Sequence, residues 1–191
     1  MNKIKTILSY IIFSLCILFI PNTVEAATVK SGSIPCSSGS VSWELSDTGK
    51  LKFLGSGTTQ HNFKDYWKSV DSSILEQTKS IDLGSCEIKF VGTSPSYLFA
   101  DFTNAATILS IENLDMSQAT SVSYMFYNCK SVTDLNIQWG DVAITDFSNM
   151  FANCSSLKTL YLGWENTSPT SFVKMFYNCS ICISILHIYL I

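Results

Sequence analysis

The chain has 191 residues, with 12 Lys, no Arg, 15 acidic residues and a formal net charge of −3, and 47% of its residues are hydrophobic. That length suits one domain, or one domain with a small appendage. Without Arg, the side chain that forks onto phosphate and guanine, and with an acidic balance, nucleic acid is excluded as a partner class. No polybasic run is present to hold an anionic membrane surface either.

Residues 1–26 read as a secretory signal peptide. Lys3 and Lys5 precede the apolar run "ILSYIIFSLCILFI", and Val24 and Ala26 fall at the small-residue positions of a cleavage site. The run is too short for a bilayer span, which needs ~20 residues. Leu15 stands where a lipobox before Cys16 requires a small residue, so lipidation is not expected. Losing Lys3, Lys5 and Glu25 leaves ten Lys against fourteen acidic residues, a net charge of −4. The expectation is a chain that is secreted or held at the cell surface, with no transmembrane span after cleavage.

Residues 27–69 read as a β-rich lead-in. Trp43–Leu45 and Leu51–Phe53 have hairpin character around the turn "SDTGK". Cys36 in this segment and Cys86 beyond it lie outside the repeats described next. The two could pair, or remain as thiols.

Residues 70–180 are organised by repetition. "MFYNC" stands at Met125–Cys129 and again at Met175–Cys179, with "MFANC" at Met150–Cys154 between them. Leu135 and Ile137 align with Leu160 and Leu162, Trp139 with Trp164, and Val122 with Phe147 and Phe172. A weaker copy carries Leu98 and Phe99, then Leu109 and Ile111 as its paired aliphatics; Ile81 and Leu83 form a fainter trace still. A period of 25 residues predicts a repeat solenoid, leucine-rich-repeat-like, with one short parallel strand per coil. Its core columns are Met125, Met150 and Met175; Phe126, Phe151 and Phe176; Cys129, Cys154 and Cys179; Leu135 and Leu160; Ile137 and Leu162; and Val122, Phe147 and Phe172. Cysteine there packs as a small hydrophobe, and the neighbouring Asn satisfies the turn. The divergent first copy is expected to cover Phe99 less completely than the middle repeat covers Phe151. Between the paired aliphatics, Tyr161, Asn136 and Ser110 are expected to point outward as a candidate binding face.

The pattern MF-x-x-C-x-x-L-x-x-L-x-L, from about Ile81 to Ser180, resembles the BspA-like leucine-rich-repeat surface proteins of bacteria. The resemblance implies a right-handed solenoid displayed at a cell surface, and adhesion to host matrix proteins or other cells. The tail at 181–191 departs from the pattern, because position 187, where an aliphatic is expected, is His187. The tail reads as a truncated repeat or as a poorly conforming last strand. Left bare, it predicts self-association through the C-terminal edge.

No constellation for chemistry stands out. His61 and His187 are far apart in the chain, and neither has Cys at nucleophile or ligand spacing. The 25-residue cysteine spacing does not fit a zinc knuckle. Asp101, Glu112, Asp115, Asp134, Asp141, Asp146 and Glu165 are scattered. No catalytic residue, metal or cofactor is expected. The sequons at Asn153, Asn166 and Asn178 are accidental, since the turn already explains Asn153 and Asn178. The expected function is non-catalytic binding of a protein or glycan at a cell surface or in host matrix. The alternatives are an inactive remnant of a larger adhesin and a secreted hydrolase centred on Thr58–Trp67.

Overall fold

The computed structural model describes residues 26–93, 95–165, 168–179 and 185–186. The signal-peptide reading falls almost wholly outside these residues, as do most of the tail and His187.

Three strands open the fold: β1 (Thr28–Ile34), β2 (Ser38–Ser46) and β3 (Lys50–Thr59). They are antiparallel, and Trp43 pairs with Phe53 and Leu45 with Leu51, as the hairpin reading expects. The turn closes at Gly49, whose φ of +85° suits a residue without a Cβ. Inward positions alternate along both strands, so Trp43, Leu45, Leu51 and Phe53 are buried. Two short helices follow, α1 (Tyr66–Asp71) and α2 (Ser73–Gln77). They press Tyr66, Trp67, Ile74 and Leu75 into the same core. Trp67 stands edge-on to Trp43, Phe53 and Phe102, and its indole N–H donates to the Leu98 carbonyl at 2.8 Å.

Beyond the helices the strands are β4 (Ser80–Asp82), β5 (Glu87–Gly92), β6 (Thr107–Leu109) and β7 (Leu114–Ala119). They are followed by β8 (Asp134–Asp141), β9 (Thr159–Glu165) and β10 (Ile185–Leu186). The long strand β3 pairs in parallel with β4 through Lys50–Lys52 and with β5 through Ser56–Thr59. Strand β6 adds to β4, and β7 to β5.

This overturns the expected solenoid of one parallel strand per coil. The chain forms a mixed, β-dominated fold. It has a seven-stranded sheet whose first three strands are antiparallel, and a separate three-stranded parallel sheet of β8, β9 and β10. The segments 80–92 and 107–119 contribute two strands each. Backbone corners explain the split. Gly84 sits at φ +52° and its N–H is held by the Asp82 side chain at 2.9 Å. Ser110 sits at φ +60° before a 3-10 turn at Ile111–Asn113. The register of the weak copy also differs. Ile108 turns inward, while Leu109, the expected inward residue, is 50% exposed.

The recurring pentads stack as turns rather than as strands. Within each, two residues four apart take the left-handed conformation: Tyr97 and Asp101, Tyr124 and Asn128, Asn149 and Asn153, Lys174 and Asn178. Asn and Asp visit that region more readily than other residues with a Cβ, which is why Asn recurs before Cys. Alternate N–H groups reach the next repeat. Those of Val122, Tyr124, Phe126 and Asn128 donate to the carbonyls of Asp146, Ser148, Met150 and Ala152. The Asn128 amide donates to the Asp101 carboxylate at 2.9 Å, and that of Asn178 to Asn153 at 3.1 Å.

Inside, Phe99, Phe126, Phe151 and Phe176 form a ring stack with centroid steps of 5.7, 5.5 and 5.6 Å. Phe99 is fully buried and also meets Phe53 edge-on at 6.4 Å. The reduced cover expected over it is therefore absent. The lead-in hairpin roofs the first turn.

Candidate binding face

The core residues named from the repeat lie in or against one hydrophobic cluster, except Phe172, which is 46% exposed at the last described turn. Met125, Phe126, Cys129, Leu135, Ile137, Met150, Phe151, Cys154, Leu160, Leu162 and Met175 are buried, and Phe176 and Cys179 are partly so. Among the described residues the cysteines are free thiols, Cys36 and Cys86 with Cys129, Cys154 and Cys179. Each repeat thiol donates to the carbonyl of the pentad Phe in the preceding turn: Cys129 to Phe99 and Cys154 to Phe126, both at 3.1 Å, and Cys179 to Phe151 at 2.6 Å. Burial pushes the Cys86 thiol up to about 11 and Cys129 further up. Cys154 rises too, through its hydrogen bond with Cys179 and through burial. These are protonated packing groups, since reactivity belongs to the thiolate.

Of the expected outward face, Asn136 and Tyr161 stand side by side in the β8–β9 register, and both are exposed, Tyr161 by 44%. Ser110 lies apart from strand pairing, half-buried at the corner after β6.

His61 is half-buried, edge-on to Phe63 at 5.3 Å and to Tyr66 at 5.1 Å. Its Nε2 is enclosed without a hydrogen-bond partner, and burial lowers its pKa by disfavouring the charged ring. Its neighbours Phe63, Tyr66 and Trp67 are core residues. The Tyr66 hydroxyl donates to the Ser33 carbonyl at 2.7 Å and accepts the Trp43 indole N–H at 3.0 Å. Within Thr58–Trp67, Thr59, Phe63, Tyr66 and Trp67 are buried, while Gln60, Asn62, Lys64 and Asp65 are exposed. Among the described residues no three His, Cys, Asp or Glu side chains are grouped to hold a metal ion, and no helix is long and apolar enough to cross a membrane.

A second surface escaped the sequence reading. Just ahead of each pentad stands a polar stretch: "SY" after "TSP" at Thr93–Tyr97, then "TSVSY", "TDFSN" and "TSFVK" at Thr120, Thr145 and Thr170. The turns bring these stretches side by side. Thr145 Oγ1 donates to the Thr120 carbonyl at 3.1 Å, and Thr170 Oγ1 to the Thr145 carbonyl at 3.0 Å. The hydroxyls of Ser96, Ser121 and Ser123 form a triangle with sides of 3.1, 3.0 and 3.2 Å, and Asp146 Oδ2 lies 3.3 Å from Ser121. The rings of Tyr97 and Tyr124 stack at 4.6 Å and 5°, with Tyr127 edge-on to Tyr124 at 5.4 Å. An open groove of about 320 Å³ runs along this surface between Asn62 and Asp146. The signal for it was present as a Thr recurring five residues ahead of each apolar pair, and opening T-x-x-S in three of the four copies. Hydroxyl residues carry no hydrophobic period, and period is what a sequence reading follows.

Over residues 93–185 the chain is similar to a family described as Mycoplasma protein of unknown function, DUF285. No curated protein and no solved structure matches the chain.

Proposed function

We propose that the chain is a non-catalytic binding module that works outside the cytoplasm, secreted or at a cell surface, and engages a protein or glycan by contact. The supporting observation is that successive turns set like side chains next to one another at the surface, as in the stacked, half-buried rings of Tyr97 and Tyr124; of the hydroxyl triangle beside them Ser123 is half-buried, and Ser96 and Ser121 are 8% and 5% exposed. Stacked repeats offer extended surfaces of this kind to partners. The MF-x-x-C-x-x-L pattern, by its resemblance to BspA-like surface proteins, is the sequence support for this reading. Adhesion to host or cell-surface macromolecules is the corresponding role. Self-association through the C-terminal end belongs to the same reading, since Phe172, Val173 and Tyr177 there are 46%, 62% and 61% exposed.

The test is a binding screen of the chain from residue 27 onward against matrix proteins, glycans and cell-wall fractions, run beside a broad hydrolase screen. Saturable retention without turnover supports the proposal. Turnover that is lost in His61→Ala refutes it. Light scattering reads the self-association, which requires a mass that rises with concentration.

A further inference from the structure

We infer that the groove between Asn62 and Asp146 is a binding site for neutral, hydroxyl-rich carbohydrate. The inference rests on the reading of the chain as a binding module and names the ligand class of one site.

Charge narrows the ligand first. The residues lining the groove include one carboxylate, Asp146, and no Lys or Arg. An anionic ligand, whether phosphate, sulfated glycan or acidic peptide, would meet Asp146 with no cation to offset it. Asp146 is held in place. Its Oδ1 accepts the Ser148 N–H at 2.9 Å, and its Oδ2 faces Ser121 at 3.3 Å. A fixed acceptor of this kind suits a hydroxyl donor.

Hydrogen-bonding capacity narrows it further. Ser96, Ser121 and Ser123 are each both donor and acceptor, and their hydrogens rotate freely among the partners of the triangle. A ligand hydroxyl has the same dual character and can join the ring by displacing one internal contact. A peptide backbone, with donors and acceptors fixed in alternation, matches a sheet edge better than a ring of hydroxyls.

The aromatic part completes the site. Tyr97 lines the groove, and its ring is held flat against Tyr124. Tyr97 is half-buried as well as stacked, which lowers the entropy lost when a ligand settles on it. Rigid aromatic surface beside polar hydroxyls complements a sugar, which has an apolar C–H face and a polar rim. The column of equivalent positions runs Tyr97, Tyr124, Asn149, Lys174, so the second ring is followed by a smaller amide. The ring stack therefore ends at Asn149.

The experiment measures retention of the chain from residue 27 onward on immobilised maltohexaose, cellohexaose and N-acetylchitohexaose. Heparin oligosaccharide and a panel of matrix proteins serve as comparisons. Variants Tyr97→Leu, which keeps the apolar bulk, and Asp146→Asn, which keeps the shape, are matched to the parent by urea midpoint. The expected result is saturable binding to at least one neutral oligosaccharide, little changed by salt and weakened tenfold or more in both variants. Asp146→Asn alone carries the test if Tyr97→Leu lowers the midpoint. Retention on heparin alone, or glycan binding lost in Tyr161→Ala but intact in Asp146→Asn, overturns the site. Retention on a matrix protein that none of the neutral sugars displaces overturns the ligand class while the binding-module reading stands. Retention on none of the surfaces overturns both.

Discussion

Phe151 carries the most direct test of how the repeats hold together. Its side chain is fully buried, with the Phe126 ring 5.5 Å away at 3° and the Phe176 ring 5.6 Å away at 4°. Truncating a buried Phe to Ala costs about 3–5 kcal/mol from lost transfer energy and residual cavity. Phe151→Leu keeps most of the apolar volume but removes two ring pairs, each worth about 0.5–1.5 kcal/mol beyond area, so it should cost about 1–3 kcal/mol. Phe176 is only partly buried, so Phe176→Ala should cost ~2 kcal/mol or less, in proportion to the area removed from water. Phe99, roofed by Phe53, should behave like Phe151. Urea unfolding followed by circular dichroism reads these directly. With a slope near 2 kcal/mol per molar, Phe151→Ala moves the midpoint down by ~1.5–2.5 M. Equal shifts for Phe151→Ala and Phe176→Ala would refute the argument, because a ring packed on both sides must lose more than a half-covered one.

Other consequences follow from the thiols, the glycines and one ion pair. Cys129 and Cys154 should react slowly with a thiol reagent in the native state and quickly in denaturant; fast native labelling contradicts their burial. The pKa of Cys86 is raised to about 11 in the fold, against ~8.5 for a free thiol. Above pH ~8.5 the unfolded chain therefore holds fewer protons than the native one. Stability should fall as pH rises from about 9 toward 11, and Cys86→Ala should flatten that slope in urea titrations. Gly55 has φ +88°, and a Cβ there would lie 2.3 Å from the Ser40 carbonyl oxygen; a Cβ at Gly92, with φ +64°, would meet nothing within 4 Å. Gly92→Ala should cost about 1–2 kcal/mol of left-handed strain and Gly55→Ala distinctly more; equal thermal midpoints would contradict this. Asp71 is held at about 2, first by its hydrogen bond from Lys30 at 2.7 Å and then by those from Ser73. Lys30→Ala should return it toward the ordinary carboxylate range in a carboxyl NMR titration; an unmoved value would remove Lys30 as the cause.

Much of the packing was legible because it leaves a period. Trp43 and Phe53 alternate with polar neighbours, so the hairpin was readable, and it forms with those two residues paired. Met125, Phe126 and Cys129 recur at 25 residues, so the core columns were readable too. The same period misled the strand count. Repetition says which residues become equivalent, but it does not say whether the backbone between them runs straight. Gly84, held by Asp82, and Ser110, left-handed before a 3-10 turn, each break a segment into two strands. The equivalent stretch at Asp134–Asp141 runs on as one strand, with only a register shift between Gln138 and Gly140. Those differences rest on single residues whose conformational consequence appears only once neighbouring strands compete for the same hydrogen bonds. The tail was harder to read from composition, yet Ile185 pairs with Leu160 in register, one period on.

The groove was illegible for a different reason, and the reason bears on its role. In each turn the inward residue after the first left-handed position is kept as Leu98, Met125, Met150 and Met175. The left-handed residue itself changes from Tyr97 to Tyr124, Asn149 and Lys174. Alternate N–H groups of these turns are bonded to the next turn whatever side chain stands outside. The outward positions are thus released from the demands of folding, which rest on the Met, Phe and Cys columns. Four turns of one backbone geometry therefore present three kinds of outer side chain, Tyr twice, then Asn and Lys. The two aromatic ones are adjacent, against the hydroxyl cluster and Asp146. Packing alone would leave such positions free to take any polar residue. A stacked tyrosine pair beside a closed ring of serines needs a further cause, and contact with a ligand at that place supplies one.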